Sequence, residues 1–107
     1  MFILYRKSLE LVRLVQALVM PQLRRTDTEL ASQLHRAVRS VPLNVAEGSA
    51  QRGKRRGNHF AIALGSNREV DACLDLAVAL GILKREALES VYALSDETQA
   101  MLYVLSR

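Results

Sequence analysis

A short basic segment near the middle of the chain is the clearest candidate for binding chemistry. It holds four of the fifteen Lys and Arg residues within five positions: Arg52, Lys54, Arg55 and Arg56. Gly53 and Gly57 lie within or beside it. We therefore expect a basic loop tip that attracts phosphates or acidic protein surfaces, although such a cluster is also typical of a solvated turn.

The same segment has the glycine and lysine spacing of a phosphate-binding loop, from Gly48 to Lys54. Arg55, however, occupies the position where that loop needs a Ser or Thr hydroxyl to bind Mg²⁺. A predicted helix precedes the segment, whereas the phosphate-binding loop follows a strand. Nucleotide hydrolysis is therefore not the expected function.

A second set of polar residues recurs at spacings of three and four, so its members share one stripe of a helix: Glu29, Gln33, Arg36, Ser40, Asn44 and Glu47. Ser and Asn are poor helix formers, so their presence within a helix favours a structural or binding role over a solvated edge. Glu69 lies among apolar residues of the next helix and would need a partner if buried. We predict that Arg36 is this partner, with ligand binding or catalysis around Arg36, Glu47 and Glu69 as alternatives.

The remaining reactive residues predict no catalytic centre. No Glu is followed by a His three residues later, as a di-iron bundle would require. His35 and His59 neighbour polar or basic residues, which predicts partly exposed or helix-capping side chains. Cys73, the single cysteine, is predicted to be a small core residue. We therefore expect no metal, no cofactor and no enzymatic activity.

Long helices must position these residues. The chain has 107 residues with only 5 Gly and 2 Pro, so connections should be few. Apolar spacing predicts a first helix from about Ile3 to Met20, ended by Pro21. A capping box of Thr26 and Glu29 predicts a second helix from near Asp27 to Gly48 or slightly beyond.

Pro42 lies within the second helix and predicts either a kink or a fresh start capped by Ser40. We favour the kink, because the apolar spacing continues without a phase break. A third helix is predicted from Gly57 to Gly81 and a fourth from about Leu88 to Leu105, with Ser95 as the point where the fourth helix would loosen. The expected fold is an all-α, antiparallel up-down-up-down four-helix bundle forming a single domain over residues 1–107.

The third helix carries more apolar surface than one small bundle should bury. Glu69 points to the same side as Ile62, Cys73, Leu76 and Leu80, away from the stripe of Arg68, Asp71 and Asp75. This pattern predicts self-association through the third helix.

Charge and hydropathy place the protein in a broad class. Residues 1–56 carry a net charge of +7 and residues 57–107 a net charge of −3. The longest uncharged run, Leu14 to Leu23, is ten residues long, against the roughly 20 needed to span a bilayer. With one cysteine and no secretory signal pattern, we expect a cytoplasmic protein that does not enter a membrane.

The sequence resembles a known family in its most distinctive part. The residues that carry the resemblance run from Gln33 through Arg36, Ser40, Pro42, Asn44 and Glu47 to Gly48, and continue with Phe60, Gly65, Ser66, Glu69 and Gly81. They are similar to those of the four-helix-bundle proteins encoded in intervening sequences of bacterial 23S ribosomal RNA genes. The accessory variability determinant of diversity-generating retroelements resembles the same group. The first helix departs from the family pattern, because it has no Trp near its start.

The resemblance implies an antiparallel bundle that self-associates into a five-fold ring, with a basic surface and no established catalysis. Gly48, Gly65 and Ser66 are predicted to mark close contacts between helices, since short side chains permit them. We predict non-specific binding of RNA or DNA through Arg52, Lys54, Arg55 and Arg56. The alternative is a protein-interaction scaffold that docks an acidic partner, such as a polymerase subunit.

Overall fold

The computed structural model describes residues 2–107, which form helices joined by short connections and include no strand. The elements of this range follow in the order α1 (Phe2–Leu18), α2 (Met20–Thr26), α3 (Thr28–Ser49), α4 (Gly53–Ala79), a 3₁₀ turn (Arg85–Leu88) and α5 (Glu89–Ser106). The predicted all-α class is confirmed. The prediction did not include α2.

Pro21 was predicted to end the first helix, and it also lies in the first turn of a second, short helix. Helix α1 ends at Leu18, and α2 starts one residue after Val19, with Pro21 in its first turn. The first turn of a helix has no internal partner for its N–H groups, so the missing N–H of proline costs little there. The first helix therefore ends before Pro21, close to the predicted end at Met20, and what the prediction missed is the short helix that starts there.

Asp27 caps α3, and the predicted capping box does not form. The Asp27 carboxylate accepts a hydrogen bond from the Leu30 N–H at 3.0 Å. The Thr26 hydroxyl instead donates to the Gln22 carbonyl at 2.8 Å, within α2. The helix was predicted to start near Asp27 and starts at Thr28, so its predicted start is correct to one residue. Its capping residue is Asp27, one position after the predicted cap Thr26.

Helix α3 runs without interruption through Pro42. The alternative of a fresh start at Ser40 is therefore excluded, because Ser40 lies in the interior of one helix. Pro42 is buried together with its neighbour Val41. The kink at Pro42 stays a prediction.

Helix α4 starts earlier than predicted, and this changes the basic segment. Its first residue is Gly53, with φ of +61°, so Lys54, Arg55 and Arg56 lie in the first turn and only residues 50–52 connect α3 to α4. Glycine adopts this φ without steric cost, and Lys and Arg are good helix formers. The predicted loop tip is therefore mostly helical.

The predicted end of this helix at Gly81 is confirmed. Gly81 has φ of +75°, and its N–H donates to the Val78 carbonyl at 3.0 Å. The Ile82 N–H donates to the Ala77 carbonyl at 3.0 Å, which completes a Schellman motif.

The helices pack side by side into a body of 43 × 23 × 19 Å, with α3 along α4, α4 along α5, and α1 along both α3 and α5. One buried cluster joins Leu4 of α1, Val45 of α3, Phe60 of α4 and Leu102 of α5. A larger cluster contains Leu23, Leu30, Leu74 and Leu88, among others. Four buried polar residues lie between these two clusters along the chain: Ser8, Asn67, Ser95 and Thr98.

Candidate nucleic-acid interface

The smaller hydrophobic cluster brings the most basic parts of the chain to one end of the molecule. Because Leu4, Val45, Phe60 and Leu102 meet there, the start of α1, the end of α3, the start of α4 and the end of α5 lie together. We call residues 2–8, 44–60 and 100–107 the basic end. It carries seven Lys and Arg residues and one acidic residue, Glu47.

The opposite end has no such excess. Residues 16–35 and 74–92, which surround the larger cluster, carry four Lys and Arg residues and five acidic residues. The charge asymmetry between the two halves of the sequence therefore becomes an asymmetry between the two ends of the structure.

The four predicted nucleic-acid-binding residues differ in their availability. Arg52, Lys54 and Arg55 are exposed. Arg56 is half-buried, and its guanidinium lies 5.1 Å from the centre of the Phe60 ring. Arg56 therefore packs on the core, while the other three extend into solvent. Cations at the start of a helix oppose its dipole, so this placement does not serve the stability of α4.

Part of the predicted polar stripe forms a hydrogen-bonded contact between α3 and α4. The Ser66 hydroxyl donates to the Ser40 hydroxyl at 2.8 Å, and the Asn44 amide donates to the same hydroxyl at 3.0 Å. The Asn44 carbonyl oxygen lies 3.1 Å from Nδ1 of His59, which must carry the proton of this hydrogen bond. The remaining members of the stripe are exposed: Glu29, Gln33, Arg36 and Glu47.

The predicted ion pair between Arg36 and Glu69 does not form. Both residues are exposed, and neither has an ionic partner within residues 2–107. Glu69 lies on the same face of α4 as Ile62, as predicted, but this face contacts solvent. An exposed carboxylate needs no partner, so the reason for the prediction disappears.

The three positions predicted to permit close helix contacts behave differently. A Cβ at Gly48 would lie 3.1 Å from both Cβ of His59 and Cε1 of Phe60, so α4 approaches α3 closely there. Ser66 touches Ser40 across the same pair of helices. No atom lies within 4 Å of the corresponding Cβ position at Gly65, and Gly65 is exposed. Gly65 therefore makes no close contact within this chain, contrary to the prediction.

Sequence reasoning missed a buried polar network between α4 and α5. The Asn67 amide donates to the Ser95 carbonyl at 3.0 Å and to the Thr98 hydroxyl at 2.8 Å. The Ser95 hydroxyl donates to Asp71 at 2.6 Å, and the Gln99 amide donates to Asp71 at 2.7 Å. Ser95 therefore lies within an unbroken α5, not at a loosened point. Polar residues at the helical spacing of Val91, Leu94 and Leu102 are the signal that would have found it.

The reactive side chains occupy ordinary environments. Cys73 is buried in the core, as predicted, and burial, with a smaller effect of the Glu69 carboxylate, raises the pKa of its thiol. Burial and a hydrogen bond to Asp75 raise the pKa of Tyr92 to about 12. His35 and His59 are half-buried, as predicted.

Within residues 2–107, no group of three or more His, Cys, Asp or Glu is placed to hold a metal ion. None of the described helices is long and apolar enough to cross a membrane.

Comparisons with known proteins agree on one family. No curated protein matches the chain. A solved structure with a TM-score of 0.84 and 26% sequence identity covers 97% of this chain and 98% of its own. That structure is a protein of unknown function from the S23 ribosomal protein family of Bacteroides thetaiotaomicron. Residues 2–104 match the family described as 23S rRNA-intervening sequence protein. The chain therefore belongs to the 23S rRNA-intervening sequence protein family.

Proposed function

We propose that this protein is a non-enzymatic, homo-oligomeric, single-domain helical bundle of the cytoplasm that binds nucleic acid non-specifically through its basic end. The observation that carries the proposal is the concentration of seven Lys and Arg residues against one acidic residue at that end. Exposed guanidinium and ammonium groups bind phosphates and release the counterions that surround nucleic acid. Such contacts bind without reading the base sequence.

Arg52, Lys54 and Arg55 are the principal phosphate-binding residues in this proposal. They are exposed and lie within four positions around the start of α4, so their charges reach solvent together. Arg56 has a supporting role, since its guanidinium lies over the Phe60 ring. The non-enzymatic assignment has its own support: the Ser40 hydroxyl accepts one hydrogen bond from Asn44 within α3 and one from Ser66 of α4, as structural residues do.

Self-association would multiply these charges. Three large apolar residues along α4 and at its C-cap are about half exposed: Ile62 at 52%, Leu76 at 45% and the C-cap residue Leu80 at 55%. The open position of Gly65 adds room on the same face for another helix to approach. A second copy would cover this surface, and a five-fold ring, which the family resemblance implies, would display five basic ends for avid binding.

The up-down-up-down topology with a kink at Pro42 is part of the same proposal. The contacts Ser40 to Ser66 and Asn44 to His59 run in opposite directions along α3 and α4. The contacts of Asp71 with Gln99 and of Asp75 with Tyr92 do the same for α4 and α5.

The test compares two triple variants that each remove three positive charges. The first variant changes the basic end: R52S, K54S and R55S. The matched control changes exposed cations of the opposite end: R24S, R25S and K84S. Binding to labelled single-stranded and duplex oligonucleotides is measured by fluorescence anisotropy from about 50 to 200 mM salt, where phosphate contacts weaken steeply.

We expect the first variant to lose at least tenfold in affinity and to show a smaller salt slope, while the control stays near the wild type. Equal losses in both variants would show that net charge alone matters and would remove the basic end from the proposal. If the wild-type protein binds neither RNA nor DNA, the alternative is favoured: a scaffold whose basic end docks an acidic partner, such as a polymerase subunit.

A further inference from the structure

An open apolar groove lies at the basic end, between α1 and α3. Phe2, Tyr5, Ala46 and Ser49 line it, and its volume is about 290 Å³. The Phe2 side chain is 71% exposed and Tyr5 is 36% exposed. These two aromatic rings of α1 form one wall of the groove, and they present flat apolar surface to solvent.

Positive charge lies close to this groove. The Arg6 guanidinium lies 5.6 Å from the centre of the Phe2 ring. Ser49, the last residue of α3, lines the groove and precedes the exposed Arg52 by three positions, so the cations at the start of α4 follow it closely along the chain. A ligand that carries both a flat aromatic group and a nearby negative charge would match this arrangement.

We infer that the groove binds an unpaired base of a single-stranded nucleic acid, with the ring stacked against Phe2 and Tyr5. Arg6, Arg52, Lys54 and Arg55 then bind the phosphates on either side of that base. This inference rests on the proposed nucleic-acid function and narrows its partner. Aromatic side chains beside a basic surface are the general means of binding single strands, because every base has a stacking face. The bases of a duplex are stacked on one another and do not reach such a groove.

The first test compares a groove variant with a control at the same end. The groove variant is F2A/Y5A, and the control is I3A/V104A, which removes two exposed aliphatic side chains outside the groove. The probes are a twelve-nucleotide oligo-dT and its duplex with oligo-dA at about 50 mM salt. We expect the wild type to prefer the single strand, and the groove variant to lose about fivefold or more in single-strand affinity with unchanged duplex affinity.

A second measurement detects stacking directly. The chain has no Trp, so F2W places the only indole in the groove, and L18W places one at the opposite end of α1. Oligo-dT should quench the fluorescence of F2W and leave L18W unchanged, and the duplex should quench neither.

The outcomes separate this inference from the function on which it rests. Duplex and single-strand binding of equal strength, both unaffected by F2A/Y5A, would overturn the groove and keep the basic end. No binding of either probe by the wild type would overturn both. A change in oligomer size of F2A/Y5A, without a change in single-strand affinity, would show that a second copy covers the groove and would overturn the inference.

Discussion

Replacement of Asn67 by alanine tests whether the buried polar network stabilises the bundle. The Asn67 side chain is fully buried and donates two hydrogen bonds to α5, at 3.0 Å to the Ser95 carbonyl and 2.8 Å to the Thr98 hydroxyl. Each hydrogen bond contributes about 1 kcal/mol net. The space left by the carboxamide costs about 1 kcal/mol more, because a packed interior relaxes only in part.

We therefore expect N67A to lower the free energy of unfolding by about 3 kcal/mol. For a chain of this size, this loss corresponds to a fall of about 12 to 24 °C in Tm. The assay is urea and thermal unfolding followed by circular dichroism, at one fixed protein concentration, because the proposed self-association would make Tm depend on concentration.

Two further variants make the result interpretable. N58A makes the same substitution at an exposed position of the same helix and should change the free energy of unfolding by less than about 0.5 kcal/mol. N67L restores side-chain volume without the hydrogen bonds and should remain about 2 kcal/mol less stable than the wild type. If N67A unfolds like N58A, the network does not stabilise the fold and the reasoning is refuted.

Two other predictions concern the surface of α4 and the titration of Tyr92. L76K places a charge on the exposed apolar face of α4 and should convert the proposed oligomer to a folded monomer in sedimentation experiments; an oligomer of unchanged size would exclude this face as the interface, and a wild-type monomer would refute the proposed self-association. With the pKa of Tyr92 raised to about 12, the unfolded chain, whose tyrosines ionise near 10, loses this proton first. The stabilisation from Tyr92 is therefore complete below pH 10 and is lost as the pH rises toward 12. Absorbance titration at 295 nm should show a tyrosine ionisation near pH 12 that Y92F removes, and a late ionisation that persists in Y92F would contradict this assignment.

The helices themselves could be predicted from local patterns. Gly81 ends α4 because a left-handed backbone position favours glycine, and this requirement is visible in the sequence. The helix boundaries at Pro21 and Asp27 were harder to predict. Proline is tolerated in the first turn of a helix as readily as it ends one. The adjacent residues Thr26 and Asp27 are both good N-cap residues. Where two local signals are equally strong, tertiary packing decides which of them sets the helix boundary.

The candidate site was predictable in composition but not in arrangement. The basic segment is evident in the sequence, yet its residues do not share one environment, since Arg56 packs on Phe60 while Arg55 is exposed. The groove of Phe2 and Tyr5 was not found, because its other wall comes from α3, more than forty positions away along the chain. Spacing within one helix carries no information about which helix lies beside it.

The sequence by itself determined the helical class, most of the helix positions, the charge asymmetry and the family, because these depend on residue types and short spacings. Only the tertiary structure decided which residues are buried or paired. It left Glu69 and Arg36 in solvent, joined Ser40 to Ser66 and Asn67 to Thr98, and brought Phe2 beside the end of α3. The physical reason is that burial and pairing depend on how entire helices rotate and pack against one another, a choice made by the summed contacts of the core.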